Sequence, residues 1–433
     1  MKTIKVGLIG FGVVGSGVVK ILSDNSDIIS QRLGAKIELV KIADLDIETD
    51  RGVKVEPGVL TKDADEILTN PEIDIVVELM GGMEPAKTFM MKAMENGKRV
   101  VTANKALLAK HGDEVFSLAE EKGVALGFEA AVAGCIPIIR TLKESFAATK
   151  IKSIIGIVNG TANYILSQMT ENRREFDDVL KEAQELGFAE ADPTFDIEGI
   201  DTAHKAALLT RLAYGTSVNF DEIYIQGISD ITLKDIDYAK EFGYKIKLLA
   251  ISKMNGDSVE VRVHPAMVPE GHSLAQINGV FNAVQIYDDL MEENTLIGHG
   301  AGSLPTASAV VGDVIESARD ILLGLSSRVP VQGFDSKNFK NLPVTDIRQI
   351  ETEYFLRFNA SDKPGVLSVI SGILGEHSIS IKSVIQQGRD EGNGVPLIFM
   401  THQAREENIQ DAIAKLNQTD VISEKPIVIR CES

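Results

Sequence analysis

The sequence predicts an α/β protein that opens with a doubly wound parallel sheet, and three observations carry that expectation. A short apolar run at the N-terminus passes through spaced glycines into a helix-like segment. Strand-length and helix-length apolar patterns then alternate as far as Glu129, the pattern of parallel strands joined by crossover helices. The composition, 44% hydrophobic and 25% charged over 433 residues with 37 glycines, is that of an ordinary globular chain and not of a disordered or collagen-like one. That length leaves room for roughly two to four domains.

Ile4 to Ile9 reads as a buried strand, and Gly10, Gly12 and Gly15 follow as G-x-G-x-x-G before the helix VVGSGVVKILSD. In that setting the first glycine allows a tight turn and the second lets a pyrophosphate approach the backbone. The third lets helix pack on strand, while the helix N-terminus faces the phosphates. Phe11, Val13 and Val14 complete this candidate dinucleotide turn. The strand IELVKIA ends at Asp44, 29 residues beyond Gly15, against a usual spacing of about 20. Asp44 could bind the adenosine ribose hydroxyls, whereas Arg51 could hold the 2'-phosphate of NADP; solvated loop charges are the plain alternative. Further strands are expected in IDIVVELMGG, KRVVTAN and VALGFEA, with helices in PAKTFMMKAMENG and KALLAKHGDEVFSLAEEKG. Ligands lie beyond the carboxyl ends of such strands, which brings in Gly81, Gly82, Thr102, Asn104 and Lys105.

A second domain is expected after Glu129. NGTANYIL places Asn159, Gly160 and Thr161 at a strand-to-helix junction, suited to an anion or to simple N-capping. The stretch ELGFAEADPTFDIEGIDTAHKAALLTRLAYG gathers Glu190, Asp192, Asp196, Glu198, Asp201, His204 and Lys205 ahead of an apolar helix. Asp201 and Lys205 stand four apart and share a helical face, so an ion pair can orient the ammonium. A helix starting near Pro305 should return to the nucleotide domain and close the cleft with Gly300 and Gly302. Beyond it, 331–350 reads as a linker, and the remainder as βαββαβ.

Composition excludes other classes. The balance of 44 Lys and Arg against 63 Asp and Glu, a formal charge of -19, repels nucleic acid and anionic membranes. Cys135 and Cys431 stand in no metal-ligand spacing, which fits a reducing cytoplasm. The histidines lack H-E-x-x-H spacing and G-x-S-x-G is missing, so neither a catalytic zinc nor a hydrolase elbow is expected. Glycines break the N-terminal apolar run, so a signal peptide is not expected, and no run of eighteen apolar residues offers a membrane span.

The blocks GLIGFGVVGSGV, TANKALLA, NGTANYIL, GFAEADPTFDIEGIDTAHKAALL and GAGSLPTASAVVGD together resemble the homoserine dehydrogenase family. The resemblance implies a Rossmann-like domain at 1–130, completed by about 305–330, and an α+β substrate and dimerisation domain at 131–304. It implies NAD- or NADP-dependent interconversion of L-homoserine and L-aspartate 4-semialdehyde on the route to threonine, methionine and isoleucine. Lys105 and Lys205 would flank the reacting carbon, with Lys205 as proton donor. Glu190 would hold the substrate amine, with Asp196, Asp201, Gly160 and Thr161 nearby. Glu129, with the backbone carbonyls of Val132, Gly134 and Ile136, matches a monovalent cation site of sodium type. Whether repulsion between Lys105 and Lys205 or attraction to Asp201 governs their protonation is left open by the sequence.

Residues 351–433 resemble the ferredoxin-like ACT regulatory domain, most specifically in the strand followed by D-K-P-G-V-L. Asp362, Pro364 and Gly365 fit its amino-acid-binding loop and Ile379 to Val384 its partner strand, although the same motif also serves as a turn. The resemblance implies a homodimer or homotetramer with L-threonine as inhibitor. Two other readings compete. An aspartate semialdehyde dehydrogenase would need Cys135 as nucleophile, outside the expected motif. An amino-acid sensor without activity would have no use for Lys105, Asp201 and Lys205.

Overall fold

The computed structural model describes residues 2–386 and 394–432. Its first sheet comprises β1 (Thr3–Ile9), β2 (Lys36–Ala43), β3 (Leu60–Thr61), β4 (Ile75–Glu78), β5 (Arg99–Thr102) and β6 (Leu126–Gly127). The order is β3-β2-β1-β4-β5-β6, with every neighbouring pair parallel. Ile4, Val6 and Leu8 are fully buried, as a parallel strand covered on both faces requires. Strand order reverses between β1 and β4, which opens a crevice over their carboxyl ends.

The helix Ser303–Leu323 returns from far along the chain to this domain. Its Ala307, Val310, Val311, Val314 and Ala318 share one core with Val6, Leu8, Val18 and Val101, and Ser303 Oγ donates to the Val13 carbonyl at 2.7 Å. The same helix cuts β6 short. The Glu129 N–H goes to Asp313 Oδ2 at 2.8 Å, so the run VALGFEA yields only Leu126–Gly127 as strand and then the turn Glu129–Ala131.

The second sheet contains β7 (Ile151–Ile157), β8 (Tyr224–Ile225), β9 (Tyr244–Asn255), β10 (Ser258–Pro269), β11 (Phe281–Asp288) and β12 (Glu293–His299). A two-residue connection at Gly256 and Asp257 joins β9 to β10 in a long hairpin. After β13 (Glu351–Thr352) comes the βαββαβ unit: β14 (Tyr354–Ala360), the helix Val366–Glu376, β15 (Ile381–Gln386), β16 (Val395–Thr401), the helix Glu406–Leu416 and β18 (Ile427–Cys431). The two-residue strand β17 (Ala404–Arg405) pairs β13.

The C-terminal unit does not hang free. β10 and β18 pair in parallel through Ala266–Arg430 and Met267–Cys431, so the sheet runs β12-β11-β7-β9-β10-β18-β14-β16-β15. Pairing two edges satisfies backbone groups that would otherwise stay open. Buried ion pairs of Arg262 with Glu432 and of Arg430 with Glu406, both at 2.5 Å, flank the seam. Residues 331–350 run along the middle domain as a strap: Lys340 N–H donates to Gly215 O at 2.7 Å, Val259 N–H to Pro343 O at 3.0 Å and Thr345 N–H to Val259 O at 2.8 Å.

Candidate active site

At the glycine turn, Gly10 has φ +99°, and a Cβ there would lie 2.6 Å from the Leu79 carbonyl carbon. A Cβ on Gly15 would lie 2.2 Å from Gly10 O, whereas Gly12 faces open space. The turn therefore packs tightly on its inner side and is open where a phosphate would approach. Phe11 is buried, Val14 is half-buried, and Val13 is exposed at the crevice. Gly302 caps the returning helix beside Val13.

Asp44 sits at the end of β2, but its carboxylate is already engaged: Oδ2 accepts from Phe11 N–H at 2.6 Å and Oδ1 from Asp46 N–H at 2.9 Å. Arg51 reaches Asp46 Oδ2 at 3.0 Å, and among the described residues its buried Nε has no partner. Hydrogen bonds from Thr49 and Glu48, helped by Arg51, hold the Asp46 carboxyl down at about 2.

The centre of the site lies between the two domains. The Asn104 side chain caps the helix Lys105–Lys122 by accepting from Leu107 N–H at 3.2 Å, and its amide donates to Gly82 O at 2.7 Å. That cap starts the helix at the carboxyl end of β5 and aims Lys105 across the cleft. The helix Ile200–Tyr214 carries Asp201 and Lys205 on one face, as the four-residue spacing predicts. Lys205 Nζ donates to Asp201 Oδ2 and to Val158 O, both at 2.6 Å, and Lys105 Nζ lies 3.1 Å from Asp201 Oδ1. One buried carboxylate thus orients two ammonium groups from different domains.

The electrostatics answer part of what the sequence leaves open. The Asp201 carboxylate raises the Lys105 pKa above its ordinary value, outweighing burial, with Asp196 and Glu190 assisting. Burial opposes the charge of Asp201 itself, but Lys205 and Lys105 together outweigh it and hold its carboxyl below the usual carboxylate range. Burial raises Asp196.

Around this pair the remaining predicted residues take distinct positions. Thr161 Oγ1 donates to Phe188 O at 2.6 Å. Asn159 caps the helix Gly160–Asn172 by accepting from Ala162 N–H at 2.8 Å, and the N–H groups of Gly160 and Thr161 in that first turn have no intrahelical partner. Glu190 is exposed at the rim, on a loop that includes the short helix Thr194–Ile197. Asn159 has a second task that capping alone does not suggest: its Nδ2 donates to Asp196 Oδ1 at 2.7 Å and to Asp201 Oδ2 at 2.9 Å. Its place at the carboxyl end of β7 was the available signal. The Val158 carbonyl had no sequence signal at all.

Glu129 is buried, and its two carboxylate oxygens accept from Ile139 N–H at 2.7 Å and Arg140 N–H at 2.9 Å. Burial and the nearby Asp313 push its carboxyl up to about 7. Its carboxylate thus anchors the start of the helix Ile138–Arg140. The loop through Val132, Gly134 and Ile136 bends at Ala133 (φ +55°) and Gly134 (φ +60°), and a Cβ on Gly134 would meet Gly300 O at 2.5 Å. Asp362, Pro364 and Gly365 lie elsewhere, between β14 and the helix Val366–Glu376, with Gly365 (φ +93°) as its cap. No helix among the described residues is long and apolar enough to cross a membrane.

Residues 137–315 match the family described as homoserine dehydrogenase, residues 10–129 the homoserine dehydrogenase NAD-binding domain, and residues 354–420 the ACT domain. The chain is 46% identical to a homoserine dehydrogenase of Neisseria gonorrhoeae, over 100% of this chain and 99% of that protein. It is 39% identical to one of Bacillus subtilis over the same shares. Among solved structures, a homoserine dehydrogenase from Thiobacillus denitrificans superposes with a TM-score of 0.95 at 45% identity, covering 100% of this chain and 99% of that one. A hyperthermophilic archaeal homoserine dehydrogenase in complex with NADPH has a TM-score of 0.63 at 28% identity, over 73% of this chain and 97% of that one.

Proposed function

Because the chain belongs to the homoserine dehydrogenase family, we propose that it interconverts L-homoserine and L-aspartate 4-semialdehyde, on the route to threonine, methionine and isoleucine, at the Lys105–Asp201–Lys205 cluster. The observation that carries the mechanism is the single carboxylate holding two ammonium groups, Lys205 at 2.6 Å and Lys105 at 3.1 Å. A bound NAD or NADP supplies or accepts the hydride. Reduction of an aldehyde builds negative charge on its oxygen, and positioned cations stabilise or protonate it. Lys205, oriented by Asp201 and the Val158 carbonyl, donates the proton to that oxygen. Lys105, which Asp201 keeps charged, stabilises the oxygen electrostatically. Glu190 at the rim takes the substrate ammonium, with Asp196 nearby, and the N–H groups of Gly160 and Thr161 receive its carboxylate.

The proposed division of labour is nucleotide binding by 1–130 with 305–330, substrate binding by 131–304, and effector binding by 351–433 at Asp362, Pro364 and Gly365. Glu129, with the backbone carbonyls of Val132, Gly134 and Ile136, would hold a monovalent cation where the domains meet. The chain acts in the cytoplasm as a homodimer or homotetramer, and L-threonine is the effector. β15 supports pairing between chains, since it is an edge strand of the long sheet. An assay of nicotinamide absorbance with L-homoserine and either NAD or NADP tests the central proposal: turnover should be seen, and Lys205→Ala should lower kcat by about 10²-fold or more. A folded Lys205→Ala protein with unchanged kcat would remove that residue from the mechanism.

A further inference from the structure

His204 stands between the two residues of the ion pair on the helix Ile200–Tyr214, yet it takes no part in their hydrogen bonds. It is 2% exposed, and its Nε2 has no hydrogen-bond partner among the described residues. What surrounds it is aromatic. Its ring stacks on Phe220 at 4.5 Å between centroids with planes 23° apart, and on Phe195 at 6.4 Å with planes 26° apart. Lys110 Nζ lies 5.3 Å from the centroid of the Phe220 ring.

These four side chains come from four separate elements. Lys110 is on the helix that begins with Lys105, and Phe220 is on the turn Phe220–Glu222. His204 is on the helix of Asp201 and Lys205, and Phe195 is on the short helix that carries Asp196. The order Lys110, Phe220, His204, Phe195 therefore links the nucleotide domain to the substrate loop, behind the carboxylate that both lysines share. Phe195 is 58% exposed, and its ring faces that of His204. Phe220 also lines an open cavity of about 750 Å³ with Lys110, Asp113 and Arg211.

We infer that His204 is a positioning residue, an aromatic spacer that sets the loop of Glu190 and Asp196 at its working distance from Lys105 and Lys205. This rests on the substrate roles proposed above for that loop. Neutrality fits the place. Burial, with Lys110, Lys105 and Lys205 acting against the opposing pull of Asp201, pushes the imidazole down to about 4, so it adds no third cation to the cluster. A saturated side chain could fill the volume but would not offer two flat faces to the flanking rings.

The test is steady-state kinetics on the full-length enzyme. His204→Ala should raise KM for L-homoserine about 5- to 150-fold, the range expected for losing two aromatic contacts. The kcat should stay within about threefold and the nicotinamide KM should not change. His204→Phe, which keeps both faces, should restore the wild-type KM. Phe195→Ala, at an exposed position that does not threaten folding, should raise the homoserine KM like His204→Ala. An unchanged homoserine KM in folded His204→Ala or in Phe195→Ala overturns the proposal. So does a His204→Phe protein as impaired as His204→Ala, which would assign the role to the ring nitrogen. The wild-type assay separates the two levels: no turnover of homoserine defeats the proposed function, whereas normal turnover with unaltered variants defeats only the spacer.

Discussion

Replacing Asp201 with asparagine keeps the shape of the side chain and removes one of its two acceptor oxygens. In the native site Oδ2 serves Lys205 at 2.6 Å and Asn159 at 2.9 Å, while Oδ1 serves Lys105 at 3.1 Å. An amide has one oxygen for these three donors, so whichever way it turns, its NH2 faces an ammonium or the Asn159 amide. A hydrogen bond to a charged group contributes about 1.5–3 kcal/mol. At about 1.4 kcal/mol per tenfold, losing one such bond to a catalytic lysine lowers kcat/KM about 10- to 150-fold. The weaker acceptor left for the second lysine adds to that, so a loss on the order of 10²-fold is expected. Stability should change with pH as well. The folded-state pKa of Asp201 is depressed, so its contribution is present above the unfolded carboxylate value and is lost as pH falls through the folded one. Asp201→Asn should therefore destabilise the protein most at neutral pH and least in acid. The assay is homoserine oxidation at saturating nicotinamide, with circular dichroism and urea unfolding at neutral and acid pH. A folded Asp201→Asn protein whose kcat/KM stays within about threefold of wild type would refute the shared-carboxylate mechanism.

Three further outcomes follow from the geometry. The Lys105 pKa is raised by Asp201 above 10.5, so the pair is fully formed below the unfolded value and is lost only as pH climbs through the higher folded one. A basic limb of homoserine oxidation well below pH 10.5 therefore does not belong to Lys105, and Lys105→Arg should keep that limb, as pH–rate profiles will show; a limb that disappears in Lys105→Arg would refute the assignment. Arg51→Ala should lower kcat/KM for NADP relative to NAD about tenfold, because a guanidinium can pair with a 2'-phosphate and not with a free 2'-hydroxyl; an unchanged ratio would make Arg51 a loop charge. L-Threonine should inhibit the wild-type enzyme and not a Gly365→Asp variant, since the positive φ at that cap disfavours a side chain. A substitution is the right tool here, because deleting the C-terminal unit would strip β18 from β10. Calorimetry that detects no threonine binding to the full chain would defeat the effector assignment.

Much of the site was legible because it is local. The three glycines, the place of Lys105 just after a strand and the Asp201–Lys205 spacing each sit within a few residues, where the periods of strand and helix dictate which groups meet. The βαββαβ order at the C-terminus was readable for the same reason. Tertiary structure alone decided that Lys105 shares its carboxylate with Lys205, that Asn159 serves Asp196 and Asp201 as well as its helix, and that one Asp44 oxygen is taken up by the glycine turn. It also decided that β10 and β18 join two domains in one sheet. These are meetings between elements far apart in the chain. Periodicity determines which face of each element is apolar, but register and edge pairing follow from how the elements stack, and a sequence read one segment at a time carries no record of that.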